Sequence, residues 1–155
     1  MTTQSPSDNG STKGWSAPVA GLRGRLVVDA SVSSGEPFVI DLELENISSK
    51  PLRVTLGDPL ALTSSLETAN GHAVEPTGSR LDILASPETV ELAPGSRKRH
   101  PITGRHDDAA ASIDLTSVFW KLVPGRYRLF VRWRSDIAGA WTGELTLLPL
   151  ELEQR

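Results

Sequence analysis

Residues 122–134 read LVPGRYRLFVRWR. From Arg126 onward the side chains alternate: Tyr127, Leu129, Val131 and Trp133 fall on one face, and Arg126, Arg128, Phe130, Arg132 and Arg134 on the other. A period of two is that of a strand with one face buried, because successive side chains leave the pleat on opposite sides. Pro124-Gly125 turns the chain just before it. An apolar anchor, a turn and a tyrosine opening a central strand make the pattern of a tyrosine corner. There the phenol bonds backbone a few residues upstream and pins the crossing between two sheets. Tyr127 is the chain's only tyrosine, and its expected role is structural.

Working outward, the same period recurs. Phe38, Ile40, Leu42 and Leu44 alternate with Val39, Asp41, Glu43 and Glu45, and Leu22 to Val28 precede them as a further strand. Asn46 to Lys50 reads as a turn and Leu52, Val54 and Leu56 as the next strand. Leu60, Leu62 and Leu66 suggest another, closed by Asn70-Gly71. Two short apolar pairs follow, Leu81 with Ile83 and Val90 with Leu92, before Pro94-Gly95 turns into Ser96 to Thr103. Residues 104–116 read as loop, with Asp114 capping a helical turn that carries Phe119 and Trp120. A last strand starts near Trp141 and ends near Leu152. About seven to nine strands, turn signals and no long helix predict an all-β, immunoglobulin-like antiparallel β-sandwich with Greek-key connections.

The chain's 155 residues suit one domain, expected over residues 18–155. Residues 1–17 are rich in Ser, Thr and Gly, bury too little apolar surface to offset ordering, and are expected to form a flexible, disordered tail. Trp15 is their one large apolar side chain, either an anchor for a partner or a group that packs back on a sheet edge. With 13 Gly and 11 Pro among 155 residues, collagen, coiled coil and wholesale disorder are excluded. No apolar run approaches the roughly 18 residues of a membrane-spanning helix, so no membrane span is expected. There is no cysteine and no secretory pattern, which makes the cytoplasm the expected compartment, or secretion if Met1 is not the natural start. The net charge is -3, yet residues 29–96 hold 11 acids and 3 bases, and residues 97–134 hold 9 bases and 3 acids. Such a fold is electrically lopsided unless the segments pair.

The run Ile40 to Val54 (IDLELENISSKPLRV), Asn70-Gly71, Leu92-Ala93-Pro94-Gly95 and Leu122 to Phe130 (LVPGRYRLF) together resemble the bacterial intracellular proteinase inhibitor family and its fibronectin-like relatives. The resemblance spans roughly residues 38–134 and rests on strand-and-turn motifs shared by many immunoglobulin-like modules. It implies the sandwich fold far more than an activity. Gly139-Ala140-Trp141-Thr142-Gly143 is similar to the Trp-containing loop of chagasin-type cysteine protease inhibitors, while the Asn-Pro-Thr-Thr-Gly loop of that family is absent.

For chemistry, the sequence holds no Gly-x-Ser-x-Gly elbow and no phosphate-cradling glycine loop, and its three histidines fall in expected loops. His100, His106, Asp107 and Asp108 lack a recognised zinc spacing and read as a solvated loop. No cofactor, no metal and no enzymatic activity are expected. The candidate binding residues are Arg126, Arg128, Phe130, Arg132 and Arg134 on the outward face, with Trp141 from the Asp136–Trp141 loop. Four guanidinium groups around one aromatic suit a carboxylate-rich partner, a phosphate or a nucleic acid. The plain structural account is a solvated face whose charges pair across strands, Arg53 and Glu144 being expected beside it. Asp41, Glu43 and Glu45 are expected opposite Arg23 and Arg25. The expected function is a non-catalytic protein-binding or assembly module, its partner another protein in a larger assembly. Self-association is open to it, and nucleic acid is disfavoured by the acidic total. The alternative is a protease inhibitor presenting a loop to an active site.

Overall fold

The structure, a computed structural model, describes residues 14–28, 31–32, 36–58, 60–79, 87–103, 111–115 and 117–155. The expectations for residues 1–13, for Leu81 and Ile83, and for His106, Asp107 and Asp108 lie outside the described residues. The strands in chain order are β1 (Leu22–Val28), β2 (Ser31–Val32), β3 (Ile40–Asn46), β4 (Leu52–Leu56), β5 (Leu62–Thr68), β6 (Gly78–Ser79) and β7 (Glu88–Leu92). They continue with β8 (Arg97–Pro101), β9 (Ile113–Asp114), β10 (Val118–Trp120), β11 (Gly125–Ser135), β12 (Gly143–Thr146) and β13 (Leu150–Gln154). No helix occurs among the described residues, and the fold is an all-β sandwich.

One sheet has the order β1-β3-β8, antiparallel throughout. In the other, β11 is central, with β5 along one side. Its other side is shared: β13 pairs Gly125 to Leu129 and β12 pairs Arg132 to Ser135. β2 adds to β13 in parallel, β4 pairs β7, and β6-β10-β9 make a further small sheet. The sheets meet face to face. A Cβ placed on Gly24 of β1 would lie 3.1 Å from Leu147 and 3.2 Å from Leu145, so a side chain there would overpack the core. Leu22, Ile40, Leu42, Leu44, Leu129, Val131 and Leu145 fill the space between, each essentially without solvent contact.

The corner between β3 and β4 is held by Asn46, which is fully buried. Its Nδ2 donates to the carbonyls of Lys50 and Leu92, and its Oδ1 accepts from the backbone and the hydroxyl of Ser48. Its backbone bonds Gly95 and Ser96 across the neighbouring turn. There Ser96 N–H reaches Ala93 O at 3.0 Å and Gly95 has φ +79°, the geometry of a type II turn. Both chain reversals therefore hang on one residue, Asn46, through its side chain and its backbone.

The tyrosine corner is present. Tyr127 is buried and its hydroxyl donates to Val123 O at 2.7 Å. The helical turn expected after Asp114 does not form. Ile113–Asp114 instead pairs antiparallel with Phe119–Trp120, and Leu115 N–H bonds Val118 O. Aromatic and β-branched residues fit a pleated surface better than a lone helical turn, and Trp120 becomes a core residue whose Nε1 donates to Val74 O. Leu60, expected inside a strand, lies before β5 and is exposed. Residues 14–17 of the expected tail are ordered against the sheet: Ser16 N–H bonds Gly24 O at 2.8 Å and Trp15 is 8% exposed.

Burial raises the pKa of Tyr127, so the folded state favours the neutral phenol. The sign follows: this contribution is complete below the ordinary phenol range and is lost as pH rises through the folded value. Tyr127→Phe is expected to lower urea-unfolding stability by about 1 kcal/mol at neutral pH. It should also flatten the alkaline decline relative to the wild type, and tyrosinate absorbance of this single tyrosine should appear later in pH than that of a free phenol.

Candidate binding face

β11 presents its two faces as the alternation requires. Tyr127, Leu129, Val131 and Trp133 are buried, Arg126, Arg132 and Arg134 are exposed, and Arg128 and Phe130 are half-buried. The five outward residues expected to act together do share one face. Trp141 does not join them. It is 6% exposed, stacks on Trp133 with ring centroids 5.3 Å apart, and donates from Nε1 to Val19 O. Its indole is a core group and not part of the outward face.

The basic stripe carries its own counter-charges. Arg128 Nε donates to Glu151 at 2.6 Å, with Glu67 of β5 at 4.0 Å on the other side. Arg132 lies 3.7 Å from Glu144, and Arg126 lies 4.0 Å from Glu153. Bonding to Glu151 is the main reason the Arg128 guanidinium is held still more firmly protonated. Among the described residues, no ion pair answers Arg134. Arg53, expected as a flank, sits on β4 opposite Glu91; the true neighbour is β5, which contributes Glu67, Thr63 and Ser65. The cross-strand carboxylates turn a cationic line into a mixed ladder.

Phe130 is the apolar point of this ladder. Thr146 pairs with Arg132 and Leu150 with Leu129, so three residues, Leu147, Leu148 and Pro149, stand opposite two, Phe130 and Val131. That is a β-bulge, and Pro149, which has no N–H to give a ladder, sits within it. Two hollows meet at Phe130. One, of about 460 Å³, is bordered by Leu26, Arg128, Leu148, Pro149, Leu150 and Glu151. The other, of about 370 Å³, is bordered by Thr63, Ser64, Ser65, Arg132 and Thr146. Leu148 is 43% exposed on the rim of the first. The bulge residues and Glu67 escaped the reading of the sequence. Pro149 inside an apolar strand was the available signal for the former, whereas Glu67 is placed only by strand pairing.

The opposite outer face has the same ingredients arranged for burial. Glu43 and Glu45 of β3 lie between β1 and β8, with Arg25 opposite Glu43 and Arg23 opposite Glu45, as expected, and Arg99 and Arg97 on the far side, whereas Asp41, expected in the same ladder, lies opposite Val27 and Pro101. Arg23 Nε bonds Glu45 and Arg25 Nε bonds Glu43, both at 2.7 Å, while Arg97 reaches Glu45 at 3.1 Å. Trp15 covers them, with the guanidinium carbons of Arg25, Arg23 and Arg97 at 4.4, 4.6 and 5.3 Å from its ring centroid. Burial acts to raise the pKa of Glu45, but the hydrogen bonds and charges of Arg23 and Arg97 outweigh it and hold the carboxyl below its ordinary value.

No family model and no curated protein matches the chain. Among solved structures it is similar to a β-glucosidase from Listeria innocua in complex with isofagomine and to a further crystal structure of that enzyme. Each has a TM-score of 0.42 and 18% identity over 86% of this chain and 16% of the enzyme. The glucose complex gives a TM-score of 0.37 at 16% identity. The chain thus spans 16% of the length of the protein it matches. Among the described residues, no group of three or more His, Cys, Asp or Glu could hold a metal ion, and no helix is long and apolar enough to cross a membrane.

The two ladders predict different costs. Arg132→Gln on the exposed face is expected to change unfolding free energy by less than about 1 kcal/mol, because exposed pairs are screened and cost side-chain entropy. Glu45→Gln is expected to cost about 1–3 kcal/mol at neutral pH, since it weakens two charged hydrogen bonds in a buried setting. Because the Glu45 pKa is depressed in the fold, its contribution is present above the ordinary carboxyl range and lost as pH falls through the folded value. Urea unfolding at a series of acidic pH values should therefore show a shallower decline for Glu45→Gln than for the wild type.

Proposed function

We propose that this chain is a non-catalytic protein-binding or assembly module that meets another protein through the outward face of β11. The observation that carries the reading is Phe130, a half-buried aromatic at the junction of two hollows, between Arg128 and Arg132. A partner's apolar side chain can fill either hollow against the ring, while the flanking ion pairs and the hydroxyls of Thr63 and Ser65 form a polar rim. That division into apolar anchor and polar rim is how specific protein interfaces are built. Because Arg126, Arg128 and Arg132 are already answered by carboxylates, shape and the apolar anchor outweigh net charge in choosing the partner. The reading disfavours a polyanion such as nucleic acid, whose binding depends on unneutralised cations. A reducing compartment such as the cytoplasm suits a chain without cysteine.

The test uses paired baits. Wild type, Phe130→Asp and a Lys121→Glu control are immobilised and exposed to lysate at low and at high salt. The expected result is a protein retained by wild type and control at both salts and reduced at least tenfold by Phe130→Asp, with all three baits unfolding at similar urea concentrations. Equal retention by Phe130→Asp overturns the reading. The inhibitor alternative is read in parallel with serine and cysteine proteases and excess protein, where no loss of protease activity is expected.

A further inference from the structure

Residues 15–19 fold back on β1 through an unusually tight link. Val19 N–H bonds Leu22 O at 2.8 Å and Leu22 N–H bonds Val19 O at 3.0 Å, leaving only Ala20 and Gly21 in the turn. Their φ values are +49° and +83°, so both occupy the left-handed region that a two-residue hairpin of this kind requires. Gly21 is suited to it. Ala20 is not, and it is the only non-glycine residue with positive φ among those described. Beyond the turn the segment is held by two hydrogen bonds between Ser16 and Gly24, by the seat of Trp15 on Arg23, Arg25 and Arg97, and by Val19, whose carbonyl accepts from Trp141 Nε1. The Trp15 Nε1 is buried without a hydrogen-bond partner among the described residues.

We infer that the arginine ladder of β1-β3-β8 is a socket for the Trp15 segment of a second copy of this chain, so that two copies pair by exchanging residues 14–19. The occupant follows from the structure. The socket already holds this segment, with its backbone on the β1 edge and its indole over three guanidinium groups, and an identical segment from another copy makes the same contacts. Exchange changes the hinge: once the chain runs straight through residue 20, Ala20 leaves the left-handed region. A short strained hinge joining a detachable segment to a closed fold is the arrangement that favours such swapping. The seat of Trp15 lies on the β1-β3-β8 sheet and not on the β11 face that carries Phe130, although Gly14 of the exchanged segment also borders the first hollow at Phe130.

The experiment compares hinge variants of the full chain by sedimentation velocity across a concentration series. Proline cannot adopt positive φ, so Ala20→Pro is expected to abolish the closed turn and sediment as a dimer, while Ala20→Pro combined with Trp15→Ala is expected to be monomeric. Glycine adopts positive φ without cost. Ala20→Gly should therefore weaken wild-type dimerisation by about 25-fold, the square of the fivefold that one left-handed alanine represents, since each dimer releases two hinges. A monomeric, folded Ala20→Pro overturns the inference, as does a dimer that survives Trp15→Ala. If Ala20→Pro fails to fold, equal dimerisation constants for wild type and Ala20→Gly overturn it.

Discussion

Two carboxylates buried on the outside of a sheet constrain the whole arrangement. Glu43 and Glu45 are 7% and 8% exposed, and an ionised group so covered is tolerable only when it is paired and hydrogen-bonded. Each is flanked by an arginine of β1 and an arginine of β8. Slipping β1 by one residue would replace its arginines with Leu22, Gly24 or Leu26 and turn its leucines outward. The pairing thus specifies register more than it adds stability. From β3 that register passes through Asn46 to both turns, and so to the placement of β4 against β7.

The same pairing chemistry on β11 has a different consequence because water reaches it. The ion pairs of Arg126, Arg128 and Arg132 are exposed, so they add little stability while neutralising the strand's charge. What distinguishes this face is the interruption of the β12–β13 edge at Leu147–Pro149. The bulge removes ladder pairing beside Phe130 and leaves a hollow on each side of the ring. A continuous edge strand would have covered that ground, so the concavity depends on one surplus residue. On both outer faces an aromatic lies among arginines, but Trp15 is covered and Phe130 is accessible, which is why the binding proposal rests on the latter.

Much of the fold was legible in local pattern. The alternation in β3 and β11, the turn at Pro94-Gly95 and the Tyr127 corner all follow from side-chain period and from residues suited to particular φ values. The outward set Arg126, Arg128, Phe130, Arg132 and Arg134 was legible for the same reason. The exceptions share a cause. Trp141, read as opening the last strand and also as a binding residue, is a core group held by Trp133 and by the sequence-distant Val19 and Arg53. Phe119 and Trp120 were read as a helical turn because the partner segment Ile113–Asp114 is too short to announce itself as a strand.

The sequence by itself determined that the chain is an all-β sandwich, where its principal strands run, and which side of β11 meets solvent, because these depend on periodicity and turn chemistry within a few residues. Only the tertiary structure decided which charges meet. Glu67, Glu144 and Glu151 reach the β11 arginines, Arg97 and Arg99 complete the ladder around Glu43 and Glu45, and Trp15 lies over three guanidinium groups. Each of these contacts joins strands whose pairing no local pattern encodes. Strand order is settled by burying one shared core, and the surface chemistry is whatever that order brings side by side.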